Sequence, residues 1–124
     1  VIKSRPMRSE TIPRILSSEP DQCPLTRCLA VIGGKWKAVI VFLIDHGVNR
    51  FGALRRALPQ ISKQMLTQQL RELEEDGIIT RTVFPEVPPR VDYALSKRGR
   101  SLMPVIQKMR AWGESAMGTI GEQS

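Results

Sequence analysis

Residues 61–81, ISKQMLTQQLRELEEDGIITR, decide the fold. They read as one amphipathic helix with a defined start and stop, running directly into a strand. Ser62 is a favourable N-cap, because its hydroxyl can accept from the free backbone N–H groups of the first turn. Leu66, Leu70 and Leu73 recur at i, i+4 and i+7 and make one apolar stripe. Gly77 stands where a helix closes on a left-handed residue, a conformation that glycine adopts without steric cost. The opposite face carries Gln64, Thr67, Gln68 and Arg71, with no carboxylate before Glu72. Amide and guanidinium groups make the paired hydrogen bonds that distinguish base edges. Glu72, Glu74, Glu75 and Asp76 crowd the last turn, where the helix dipole disfavours them. The first half of the helix is therefore suited to lie against nucleic acid, and its C-terminal end to be repelled by phosphate. Taken alone, the pattern also fits an ordinary solvated helix, so the flanking segments decide between the two.

Upstream, NRFGALRRAL at residues 49–58 predicts a helix of about two turns, with a short strand at Arg50-Phe51 as an alternative for its first residues. Phe51, Leu54 and Leu58 point inward; Arg50, Arg55 and Arg56 point outward. Pro59 stops this helix, and only Pro59-Gln60-Ile61 separates it from Ser62. Two short helices joined by a tight turn, the second polar on its outer face, form a helix-turn-helix, here about residues 50–76. Downstream, strands are expected over Ile78–Phe84 and Val91–Ser96, the second alternating Val91, Tyr93, Leu95 with Asp92, Ala94, Ser96. Their connection, PEVPPR at residues 85–90, holds three prolines, which stiffen a hairpin tip. A stiff hairpin over about residues 78–96, with Arg90 near its tip, has the shape of a wing.

Before the helix-turn-helix, Pro24 opens a short helix with Cys23 as its N-cap. Leu25, Cys28, Leu29 and Ile32 are its expected buried face. Gly33-Gly34 breaks it, and KWKAVIVFLIDH at residues 35–46 follows, apolar nearly all round and therefore expected to be the buried central helix. His46 is read as a C-cap, since no second histidine exists to share a metal. After the wing, Ser96 caps a last helix, about residues 97–117, with an apolar stripe of Leu102, Val105, Ile106, Met109 and Trp112 that Met117 and Ile120 extend. Pro104 inside it is expected to kink it. So long a stripe exceeds what one small domain covers, so part of it is expected to meet a second subunit, the competing reading being that it folds back on its own core. Residues 1–22 read as an N-terminal arm, 23–117 as the domain and 118–124 as a tail.

Length and composition agree with this plan. The chain has 124 residues, enough for one core and too few for two. A net charge of +7 points to an anionic partner, nucleic acid or a membrane surface. No apolar run approaches the roughly 20 residues that span a bilayer. The start, VIKSRPMRSE, lacks the apolar core of a signal peptide. With Val rather than Met at position 1, the gene's own start is expected upstream. Two cysteines and one histidine argue against a disulfide framework or a zinc site, and a reduced, cytoplasmic setting is expected.

These motifs, in order, resemble the HxlR-type winged-helix transcriptional regulators, relatives of the MarR group. The resemblance rests on Cys23-Pro24, Ile32-Gly33-Gly34-Lys35-Trp36, Arg50-Phe51 with Leu54, Ile61-Ser62, Leu66-Thr67 and Leu70 to Glu74. It continues through Asp76 to Arg81, Pro88-Pro89-Arg90-Val91, Tyr93, Leu95, Lys97, Gly99 and Trp112-Gly113. It departs at Gly52-Ala53, where members carry a polar pair that would cap the third helix. The resemblance implies a mainly α fold with a small β-hairpin (α+β), a winged helix-turn-helix carrying extra N- and C-terminal dimerisation helices. It implies a homodimeric, DNA-binding bacterial regulator whose helix from Ser62 enters the major groove.

From the chemistry of the side chains, Gln64, Thr67, Gln68 and Arg71 are candidates for base contacts, against a plainly solvated face. Arg50, Arg55, Arg56, Lys63 and Arg90 are candidates for phosphate contacts. Leu25, Leu29, Ile106, Met109, Trp112 and Met117 are candidates for the dimer interface. Cys23 is a candidate redox sensor, because a helix N-terminus favours a thiolate, while a plain capping thiol is the competing reading. No phosphate loop, metal-ligand spacing or nucleophile–base pair is present, so no enzyme, cofactor or metal is expected. The expected partners are double-stranded DNA and a second copy, without a membrane, and with a small-molecule effector left open. The alternative is a winged helix that binds protein, which would lack a positive face.

Overall fold

The computed structural model describes residues 23–123, with side chains through Met117. The expected arm of residues 1–22, Ile120 and the side chains of the expected tail lie outside that description. The chain divides after Gly34 into two compact units. The described part of the first is helix α1, Pro24–Ile32, with Pro24 in its first turn and the Cys23 Sγ accepting from the Thr26 N–H at 3.4 Å. Its expected buried face is not buried: Leu25 is 66% and Leu29 56% exposed, Cys28 is half-buried, and only Ile32 is enclosed. Periodicity marks a face that favours burial, but it does not say what covers that face.

The second unit holds α2 (Lys37–Asp45), α3 (Phe51–Ala57), α4 (Lys63–Glu75), β1 (Ile79–Phe84), β2 (Arg90–Leu95) and α5 (Lys97–Gln123). This is the expected winged helix-turn-helix: helices with one two-stranded antiparallel hairpin. The core is Ile40, Val41 and Ile44 of α2, Leu54 of α3, Ile61, the Leu66–Leu70–Leu73 stripe of α4, Ile78, Ile79 and Tyr93 of the hairpin, and Met103 and Ile106 of α5.

α2 starts two residues later than expected, at Lys37, because Gly34 takes φ +86° and turns the chain before Trp36. It is buried on one side only. Ala38, Val39 and Phe42 of its other side, with Ile106, Met109 and Arg110 of α5, line an open apolar groove. His46 is the C-cap, its Nδ1 at 2.9 Å from the Phe42 carbonyl and its ring stacked on Phe42 at 4.2 Å.

No strand forms at Arg50-Phe51. Arg50 is the uncapped N-cap of α3, and the segment meets the hairpin through one backbone bond, Tyr93 N–H to the Asn49 carbonyl at 2.9 Å. In the turn, Ile61 N–H donates to the Leu58 carbonyl at 3.0 Å and its side chain is buried. Ser62 Oγ accepts from the Met65 N–H at 3.0 Å, closing the first turn of α4. Gly77, at φ +74°, ends that helix and delivers Ile78 N–H to the Leu73 carbonyl at 2.9 Å.

β1 and β2 pair from Ile79↔Leu95 to Phe84↔Arg90. Ser96 leaves the strand to serve as the cap of α5. Its N–H donates to the Ile78 carbonyl at 3.0 Å, its Oγ accepts from the Gly99 N–H at 3.0 Å, and its hydroxyl faces the Gly77 and Ile78 carbonyls. α5 runs continuously through Pro104 and past the expected end at 117, to Gln123. Ile106, expected at a subunit interface, is buried in its own chain where α5 packs on α2. Val105, Met109, Trp112 and Met117 remain exposed, Trp112 by 75% and Met117 by 73%.

The first turn of α5 depends on the absence of a side chain at Gly99. A Cβ there would lie 2.1 Å from the Ile78 carbonyl oxygen, a backbone atom that cannot swing aside. Gly99→Ala should therefore destabilise the unit by about 1–3 kcal/mol in urea unfolding. A change within about 0.5 kcal/mol, the range of an ordinary surface substitution, would show that the contact carries no such constraint.

Candidate nucleic-acid interface

Burial of Leu66, Leu70 and Leu73 turns the other side of α4 to solvent, and Lys63, Gln64, Thr67, Gln68 and Arg71 are all exposed along it. The expected base-reading residues thus share one face. Their chemical states differ. Gln64 and Arg71 make no hydrogen bond or ion pair among the described residues. Thr67 Oγ1 donates back to the Lys63 carbonyl at 2.8 Å, which leaves its oxygen to accept and its methyl to make apolar contact. Arg71 and Thr67 also border a cavity of about 360 Å³ with Phe51, Glu74, Arg81 and Tyr93. Arg81 follows from hairpin parity: it lies opposite Tyr93 in the register, which turns it toward α4.

Gln68 is not free. Its Nε2 donates to Glu72 Oε2 at 2.6 Å, and the other Glu72 oxygen meets Lys37 Nζ at 2.6 Å. Lys37 is buried, a costly position for a cation without a partner. The Gln68 bond, and then the Lys37 ammonium, hold the Glu72 carboxyl below the usual carboxylate range. Sequence reasoning placed Glu72 only in an acidic last turn, because Lys37 approaches it from a different helix.

The expected phosphate contacts also fall into two groups. Arg55, Arg56 and Lys63 are exposed, without ion pairs among the described residues, and border one open cleft with Phe51 and Gly52. Arg50 and Arg90 are engaged. Asp92 Oδ1 lies 3.2 Å from Arg50 Nε and 3.6 Å from Arg90 Nε, and Arg90 also meets Glu86 at 3.4 Å. The Arg90 guanidinium stands over the Phe84 ring at 3.9 Å. Arg90 is therefore half-buried and engaged at the first position of β2, next to the hairpin loop. Alternation along β2 marked Asp92 as outward, but gave no sign that two arginines converge on it.

Cys23 is extended at the start of α1 and buried, and hydrogen bonding from Thr26 holds its thiol below its usual range. Cys23 and Cys28 are both free thiols. Among the described residues no group of three or more His, Cys, Asp or Glu could hold a metal ion. No described helix is long and apolar enough to cross a membrane.

Comparison with known proteins agrees with this geometry. Residues 31–120 match the HxlR-like helix-turn-helix family. The chain is 47% identical over 98 residues to the helix-turn-helix-type transcriptional regulator YdeP of Bacillus subtilis, covering 79% of this chain and 77% of that protein. It is 50% identical over 93 residues to YybR, a regulator of the same type and organism, covering 75% of this chain and 74% of that one. Among solved structures it is similar to the redox regulator HypR in its oxidised form, with TM-score 0.72 and 49% identity over 75% of this chain and 96% of that one. These relatives are transcriptional regulators rather than enzymes. The resemblance read from the motifs therefore holds, and the chain belongs to the HxlR-like helix-turn-helix family.

Proposed function

We propose that the protein is a sequence-specific, double-stranded-DNA-binding transcriptional regulator that acts as a homodimer on an inverted repeat. The outward face of α4 carries this reading. It presents Gln64, Thr67, Gln68 and Arg71 in a row between the unpaired cations Arg55, Arg56 and Lys63 on one side and Arg81 on the other. Amides, a hydroxyl and a guanidinium read base edges; the flanking cations meet phosphates and set the register. Arg50 and Arg90 contribute beside the outer half of the wing, where Asp92 shares their charge. A winged helix that binds protein instead would not need four unpaired basic side chains around one polar helix face.

The helix-turn-helix and wing occupy about residues 50–96, and α1 and α5 supply the second copy's contacts. Leu25 and Leu29 on α1, and Met109, Trp112 and Met117 on α5, are exposed apolar side chains of the kind that subunit interfaces bury. Two-fold pairing sets two reading helices about 34 Å apart, which matches half-sites one helical turn apart.

Cys23 gives the dimer a route to oxidant response. The chain's likeness to HypR, a redox regulator, and the Thr26 bonds that favour the Cys23 thiolate support it. The chemistry is two-thiol oxidation: the Cys23 thiolate adds to the N=N bond of an oxidant such as diamide, and a second thiolate, from a small thiol or from the second copy, displaces it, so that an S–S bond forms and the oxidant leaves as the hydrazine, reduced by two electrons and two protons.

Titration of duplex DNA over a range of salt concentrations tests the binding reading. A dimer making about 6–10 phosphate contacts gives a log–log salt slope of about −5 to −9. Arg56→Ala should weaken binding to every duplex alike, and diamide should release DNA from the parent but not from Cys23→Ser. A slope near zero would remove the DNA reading; equal diamide response of parent and variant would remove Cys23 alone.

Sedimentation tests the assembly. Trp112→Glu and Met109→Glu should each shift the protein toward monomer. If both sediment as the parent dimer does, the α5 surface is not the interface.

A further inference from the structure

Lys37, Glu72 and Gln68 form one chain of contacts from the interior to the reading face. Lys37 lies on α2, and its side chain is 10% exposed. Its ammonium holds one oxygen of Glu72 at 2.6 Å, and the second oxygen holds the Gln68 amide nitrogen at 2.6 Å. An ionised carboxylate can only accept hydrogen bonds. The NH2 end of Gln68 must therefore be the end that faces Glu72. Turning the amide by half a revolution would set its carbonyl oxygen against the carboxylate, two acceptors with no proton between them. A glutamine on an exposed helix face is otherwise free to present either end. This one is not.

Building on the proposed DNA reading, we infer that Lys37 and Glu72 are positioning residues that hold one N–H of Gln68 and turn its carbonyl oxygen outward, so that Gln68, with one donor left, favours a base with an exocyclic amine, adenine or cytosine. In the major groove, adenine N6 and cytosine N4 donate at that place. Guanine O6 and thymine O4 are acceptors and would face the amide oxygen unfavourably. Lys37 matters because it is buried and cannot follow solvent. It anchors Glu72 to α2, and Glu72 cannot rotate away to release the amide without leaving a buried cation unpaired. The selectivity thus originates on α2, outside the proposed reading helix.

Selection of bound duplexes from a random pool, run on the parent, Gln68→Ala, Glu72→Gln and Lys37→Arg, tests this. The position at which Gln68→Ala loses preference identifies the base that Gln68 meets. The parent should hold adenine or cytosine there, disfavouring guanine and thymine about tenfold. Glu72→Gln replaces the obligate acceptor by an amide that can donate or accept, so this one position should lose its preference while the others keep theirs. Lys37→Arg preserves the buried cation and should keep the parent pattern. The side-chain amide NMR signals of Gln68 in the free protein report the contact independently of DNA, and should shift in Glu72→Gln. Guanine or thymine at the parent's Gln68 position would overturn the inference. So would an unchanged preference in Glu72→Gln once its Gln68 amide signals have moved. If the parent enriches no sequence at all while the amide shift is seen, the DNA reading itself fails, and the inference with it.

Discussion

The arrangement depends on the burial of Leu66, Leu70 and Leu73. All three are essentially inaccessible, and each contributes about 1.5–3 kcal/mol by leaving water. Their burial seats α4 against the rest of the unit and leaves one rotation about the helix axis available. Every functional statement about α4 follows from that rotation, because it decides which side chains look outward. The Ser62 cap and Gly77 set the two ends, so that the helix begins where the basic residues of α3 stop and ends where the hairpin starts.

Electrostatics then grades the surface along the helix. Arg55, Arg56 and Lys63 gather near its N-terminal end, where the helix dipole is also positive. Glu74, Glu75 and Asp76 lie at the other end, exposed and unsuited to phosphate. The wing is handled differently. Asp92 draws Arg50 and Arg90 together, so charge that composition would count as free is spent partly within the protein. These pairs are partly exposed, and each is worth little to stability. Their consequence is geometric: they tie the middle of β2 to the start of α3.

Much of the fold was legible in the sequence because it rests on local signals. The Ser62 cap, the leucine period, the glycine at Gly77 and the proline-rich hairpin loop each act within a few residues, and each appears where the pattern placed it. The face of α4 followed directly from the leucine stripe. What could not be read joins residues distant in sequence. Lys37 with Glu72, and Arg50 with Asp92, are pairings that need the folded positions of separate elements. Ile106 and Leu25 illustrate the same limit in opposite directions. Both lie on apolar stripes, yet one is enclosed by its own chain and the other is not, because periodicity carries no information about what lies opposite. Arg90 stands near the hairpin tip as the pattern placed it, but its engagement with Glu86 and Phe84 could not be read, because these partners meet it only once the hairpin closes.

The central claim is that the outward face of α4, with the cations beside it, is the surface that meets DNA. Amide hydrogen exchange of the protein with and without a selected duplex tests it most directly. The account predicts slowed exchange on DNA binding at residues 50–56 and 62–68 and in the hairpin, with α5 beyond Met109 unchanged. Protection confined to α5, with α4 exchanging as in the free protein, would contradict it.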